Sequence, residues 1–179
     1  VSDESLGNIK ERAEACQRCP CAQSRRRVVI YRGMVEPRIL FVGQSPGPRE
    51  DELGVPFVGP AGSLLDEAFG IYHVDSYGVI NIINCFPPNN KFQESFGIAC
   101  QPFLVDKLKV FLPGARYLVT LGRDAEKAIW EVQRLYPGLF QHLTLHHIIH
   151  PAAVLRNPGW RSKWDGDWRE FARKVHESS

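Results

Sequence analysis

The sequence predicts an α/β fold, a three-layer αβα sandwich around a central four-stranded parallel sheet. Two observations lead there. Four short apolar runs, RILFVG (38–43), GVINII (78–83), RYLVTLG (116–122) and LTLHHIIH (143–150), read as strands buried on both faces rather than alternating ones. Segments with helical patterning separate them, and strands alternating with helices imply parallel crossovers. The composition fits, with 179 residues, 44% apolar and 23% charged. No repeat or linker interrupts the chain, so residues 1–179 are expected to form one domain.

Taken in order, ESLGNIKERAEAC reads as an N-terminal helix. PAGSLLDEAFG (60–70) has Pro60 near its start and Gly70 at its end, both common helix punctuation. GIACQPFLVDKLKVFLPG (97–114) gathers Ile98, Phe103, Leu104, Leu108 and Phe111 on one face, with Pro102 in its first turn or breaking it. GRDAEKAIWEVQRL (122–135) follows the third strand directly, and a last helix spans about Asp167–His176. The two long irregular stretches, 44–59 and 84–96, both leave the C-terminal ends of strands, where α/β proteins bind ligands.

Several classes are excluded or narrowed. No apolar run reaches the roughly 18 residues of a membrane span. The polar start VSDESLGNIKERAEAC lacks a signal-peptide core. The net charge of +2 leaves only local basic footprints, SRRR (24–27) and LRNPGWRSKW (155–164), for a polyanion. An odd set of five cysteines, Cys16, Cys19, Cys21, Cys85 and Cys100, speaks against a disulfide framework and for a reducing, cytoplasmic setting. A monomer is expected.

The cysteine spacing points to a metal site. Cys16 and Cys19 form C-x2-C, and Cys85 and Cys100 bracket a Pro-rich loop. Four thiolates close a zinc site or hold an iron–sulfur cluster, and ligand count alone does not separate the two. Cys21 is the spare, able to replace Cys19.

Three further positions stand out. Phe57, in a Gly/Pro-rich loop, either stacks on a planar ligand or closes the core. Asn81 within VINII needs a partner for its amide, which is suited to a nucleobase edge. His150, ending a strand before Pro151, is placed to donate a hydrogen bond into a crevice. Gly59 to Gly62 lead into a helix whose N-terminus suits a phosphate.

Together GQSPGPREDELGVPFVGPAGSLL, NIINCFPPNN, the cysteine of IACQPFL and HPAAVLRNP resemble family 4 uracil-DNA glycosylases, the iron–sulfur branch of the uracil-DNA glycosylase superfamily. The resemblance covers most of residues 12–158. It implies a [4Fe–4S] cluster, in preference to zinc, on Cys16, Cys19, Cys85 and Cys100, with a structural role. It also implies that Phe57 stacks on a flipped base, Asn81 reads the uracil edge, and His150 bonds the departing base. Backbone N–H groups of the Gly43–Ser45 loop assist, and Val154, Leu155 and Arg156 form a wedge into DNA. The implied partner is DNA containing uracil or a modified base.

The chain departs from that family at informative positions. Gln44 stands where family 4 has Glu, and Ser45 where other branches have Asp or Asn. The nearest acids are Glu50 and Asp51, so Gln44, Ser45, Glu50 and His150 form the expected catalytic group. Asn84 and Phe86 replace two basic family positions. These changes keep two alternatives open: excision of a different base, and a non-catalytic damaged-DNA-binding module. The covalently trapped branch is disfavoured, because the stretch from Cys85 to Cys100 lacks its basic, His-containing insertion.

Overall fold

The computed structural model describes residues 2–179. Its centre is a five-stranded sheet made of β1 (Arg32–Gly33), β2 (Ile39–Gly43), β3 (Tyr77–Asn81), β4 (Tyr117–Leu121) and β5 (Thr144–Ile148), in the order β1-β3-β2-β4-β5. The four expected strands are all present and parallel. The expected count of four is corrected by β1, a two-residue strand antiparallel to β3. The run Val28–Tyr31 is continued by only two ladder residues, too few to carry a strand pattern in the sequence.

Helices cover both faces. One layer holds α1 (Ser2–Glu14), α5 (Glu94–Phe111) and α6 (Arg123–Leu135), whose apolar residues pack on Leu40, Val42, Ile80 and Leu118. The other holds α4 (Pro60–Ile71), α7 (Pro151–Arg156) and α8 (Arg161–Glu177). Its core is aromatic: Phe41, Phe69, Trp164, Trp168 and Phe171 meet there. Two short helices, α2 (Cys21–Ser24) and α3 (Pro48–Leu53), interrupt segments that read as loops.

Two helix expectations need correcting. Helix α5 begins at Glu94, so Pro102 lies in its interior, and Ile98 is 68% exposed rather than on the packed face. Helix α8 starts six residues before the expected Asp167, because Trp164 already packs on the sheet. Among the described residues no helix is long and apolar enough to cross a membrane.

The topology fixes where a site can form. From β2 the chain crosses through α4 on one face, and from β4 through α6 on the other. Adjacent strands whose crossovers leave to opposite faces open a crevice at their C-terminal ends. Here that crevice lies between the loop after Gly43 and the turn after Leu121.

Candidate functional site

Gly43 pairs in register with Asn81 at the C-terminal edge of β2 and β3. Asn81 is 1% exposed, and its Oδ1 has no hydrogen-bond partner among the described residues. A buried acceptor left unpaired costs about 1–3 kcal/mol, so the position calls for a donor from outside. The Phe57 ring lies beside it. A Cβ on residue 43 would stand 2.6 Å from both Asn81 Oδ1 and the Phe57 ring, so only glycine lets the three meet.

Phe57 is held in a left-handed backbone conformation, φ 56°. For a non-glycine residue this costs about 1–3 kcal/mol and needs support from its surroundings. Arg32 of β1 supplies part of it, donating from Nη1 to the Phe57 carbonyl at 2.7 Å while pairing with Asp66. Gly62 supplies the rest, because a Cβ there would sit 1.9 Å from the same carbonyl oxygen. The ring is buried in the aromatic core, with its centroid 5.7 Å from that of His150. Nothing in the sequence marks Arg32, because the two-residue β1 that carries it has no periodic pattern.

His150 caps α7, its Nδ1 accepting the Ala152 N–H at 3.0 Å. With Nδ1 used as an acceptor, the ring proton of the neutral imidazole sits on Nε2. Burial, with the Arg156 guanidinium adding to it, pushes the imidazole pKa down to about 4. The residue is therefore a neutral donor at ordinary pH. It lines a crevice of about 420 Å³ together with Gln44, Asp124, His147, Arg156 and Trp160.

Four expected roles change. Glu50 does not stand free to handle a proton, because its carboxylate accepts the N–H groups of Gly47 (3.1 Å), Val58 (2.8 Å) and Gly59 (2.6 Å) and so ties the two loops together. Gly59 therefore has no N–H left for a phosphate, and the carboxylate beside this helix start repels one. Gly62 is buried and serves the close approach of Phe57. Val154 is 6% exposed and packs in the aromatic core, leaving Leu155, 49% exposed, and Arg156 as the outward residues of that turn.

The motif loop leaves the sheet firmly anchored, its Gly43 and Gln44 carbonyls accepting from Ile82 N–H (2.9 Å) and Ile83 N–H (3.2 Å). Ser45 Oγ donates to Gln44 Oε1 at 3.2 Å, and Gln44 Nε2 donates to Asp124 Oδ2 at 2.6 Å. Asp124 belongs to the first turn of α6. Nothing local in the sequence marks it, since an acid in a first helical turn is ordinary.

The five cysteines converge. Cys16, Cys19, Cys21, Cys85 and Cys100, with Arg25, line one cavity of about 20 Å³ between α1, α2 and α5. Burial pushes the Cys100 thiol up to about 11 and Cys21 up to about 12, so both stay protonated unless a metal displaces the proton. Among the described residues no three His, Cys, Asp or Glu side chains are gathered to hold a metal ion. A zinc would draw four sulfurs to about 2.3 Å of one point. The thiols are ringed instead by cations: Arg25 Nη1 lies 3.5 Å from Cys85 Sγ, and Lys107 is fully buried nearby. Thiol donors flanked by two cations are the chemistry that an anionic thiolate cluster calls for.

Lys107 ties the cysteine cavity to the C-terminal edge of β3. Its Nζ donates to Asn81 O and Asn84 Oδ1, both at 2.6 Å. Burial lowers its pKa to about 8, opposed by Cys100 and Cys85. Asn84, which replaces a basic family position, is thus an interior residue, 1% exposed. Lys107 was legible in part, since it falls three and four residues from Leu104 and Phe103 on the buried face of α5.

Comparison with known proteins agrees with this construction. The model of the uracil DNA glycosylase superfamily matches residues 31–171. A type-4 uracil-DNA glycosylase of Pyrobaculum aerophilum is 32% identical, covering 93% of this chain and 92% of its own. That of Sulfurisphaera tokodaii is 33% identical, covering 94% and 84%. In fold, the chain is similar to the crystal structure of wild-type Pedobacter heparinus SMUG2, with a TM-score of 0.59, 16% identity, and coverage of 80% of this chain and 77% of that one. A matched region that runs from β1 into α8, containing the Gly43–Asn81–Phe57 contact and His150, makes this chain a member of the uracil DNA glycosylase superfamily.

Proposed function

We propose that the protein is a DNA glycosylase that flips uracil out of DNA and hydrolyses its N-glycosidic bond, leaving an abasic site. The observation that carries this reading is the unpartnered, buried Oδ1 of Asn81 against Phe57 and Gly43. Uracil presents an N3–H donor beside its O4 acceptor, which a side-chain carboxamide matches with Oδ1 and Nδ2. Cytosine presents the opposite order. The type-4 uracil-DNA glycosylases that the chain is similar to support the same substrate.

A base inside a duplex is out of reach, so it must be extruded at a cost of a few kcal/mol. Leu155 is the side chain suited to fill the gap, with Arg156 and Trp160 exposed beside it to meet the backbone. As the C1′–N1 bond breaks, positive charge grows on the sugar and negative charge on the base. The Nε2–H of His150 then stabilises the departing base as a preorganised neutral donor. The thiolate site on Cys16, Cys19, Cys85 and Cys100 is read as holding a [4Fe–4S] cluster, which would crosslink the N-terminal segment, the end of β3 and α5.

The test is a substrate panel of duplex and single-stranded DNA carrying uracil, hypoxanthine and 5-substituted pyrimidines. Release of free uracil is the expected result, and binding of uracil-DNA with no base released would refute glycosylase action. The pH profile separates two roles for His150. A neutral donor with a pKa of about 4 gives kcat/KM level from about pH 8 to about pH 5, whereas an imidazolium acid gives a limb near its ordinary value. The depressed pKa also sets the stability linkage. The unfolded imidazole takes its proton below about 6.5 and the native one only near 4. This contribution is therefore complete above pH 6.5 and is lost as pH falls between the two values.

A further inference from the structure

We propose that Asp124 is the carboxylate that takes the proton of the attacking water, held in place across the crevice by Gln44. This rests on the glycosylase reading. It answers what that reading leaves open, namely how the reaction runs when the motif loop carries an amide instead of an acid.

The geometry singles out this carboxylate. Asp124 Oδ2 accepts from Gln44 Nε2 at 2.6 Å, bridging the C-terminal ends of β2 and β4 where the crossovers diverge. It lines the same crevice as His150. The other nearby acids are occupied elsewhere. Glu50 is saturated by three backbone N–H groups. Asp51 is buried and accepts from Arg26 N–H and Arg27 N–H. Asp66 pairs with Arg32, and Glu126 with His147 at 3.2 Å. Asp124 Oδ1 accepts no hydrogen bond from the described side chains, which leaves it for a water.

Asp124 sits in the first turn of α6, and Arg123 and Arg156 on the same crevice offset its repulsion of DNA phosphates. Gln44 is oriented for the task, since its Oε1 accepts from Ser45 Oγ and its Nε2 is thereby turned to the acid. In the step, the water oxygen bonds to C1′ while the C1′–N1 bond breaks and its electron pair leaves with the base, whose oxygen receives the His150 hydrogen bond. The water proton passes to Asp124. The products are the C1′ hydroxyl of an abasic sugar and the base anion, which is protonated by solvent. The carboxylate also faces the positive charge that develops on the sugar.

The experiment measures single-turnover and steady-state excision across the substrate panel for wild type, Asp124→Asn, Asp124→Ala and Gln44→Glu/Asp124→Asn. Thermal melting and affinity for uracil-DNA are measured alongside. Asp124→Asn is expected to lose about 100-fold or more in kcat with KM and DNA affinity little changed. Moving the acid back into the loop with Gln44→Glu is expected to recover about tenfold or more, which a merely structural role would not do. Should Asp124→Asn melt early, Asp124→Ala gives the same readout without the amide. Activity of Asp124→Asn within about threefold of wild type overturns the proposal, as does a double variant no better than the single one. A wild type inert on every base in the panel overturns the glycosylase reading itself and this proposal with it.

Discussion

Asn81→Ala is expected to lower kcat for uracil release by about 10²–10³-fold, with a further loss of discrimination against cytosine. The size follows from the site. The side chain is 1% exposed and offers an acceptor that no group among the described residues satisfies, so under the proposed role its hydrogen bond to a base would form away from water. Removing it also opens space beside Gly43, where an added Cβ would stand 2.6 Å from both Oδ1 and the Phe57 ring. His150→Ala is expected to cost a similar factor through the leaving group, because the Nε2 proton is fixed by the Ala152 bond to Nδ1. Single-turnover release of uracil measures both. Wild-type-like rates in the two variants would remove these residues from the reaction.

The second large effect is structural. Cys100→Ser is expected to abolish the broad visible absorbance of an iron–sulfur protein and to lower Tm by about 10–20 °C, corresponding to roughly 5 kcal/mol in a chain of this size. Cys100 projects from α5 into the same cavity as Cys16, Cys19 and Cys85, so under the proposed cluster one substitution would release a crosslink joining three separate segments. Around it stand two cations without carboxylate partners among the described residues: Arg25, bonded to Cys16 O and Cys85 Sγ, and Lys107, bonded to Asn81 O. Losing the proposed anionic centre would leave those charges uncompensated, which adds to the expected destabilisation. Absorbance, iron and sulfide analysis and calorimetry of wild type and variant check this. A colourless, zinc-containing wild type would overturn the cluster assignment.

Much of this was legible locally. Four apolar runs separated by helical segments were enough for the αβα class, because strands buried on both faces carry continuous hydrophobicity. The positions of Asn81, Phe57 and His150 were visible because each breaks a local rule: an amide in a β-branched strand, an aromatic among glycines and prolines, and a histidine at a strand end before proline. The cysteines announced themselves by type and spacing. Strand β1 was not legible, since two residues carry no period, and with it went Arg32, which holds the strained Phe57 carbonyl. Glu50 looked like the replacement acid because it is near Gln44 in sequence. In the fold its carboxylate is consumed by the loop it belongs to.

The sequence by itself determined the fold class, the cysteine set and the residues proposed to face the base, because each depends on residue type within a few positions along the chain. Only the tertiary structure decided which acid stands at the reaction. Gln44 and Asp124 are eighty residues apart and come within 2.6 Å because β2 and β4 are neighbours in the sheet and send their crossovers to opposite faces. That pairing is set by strand order, which no local pattern records.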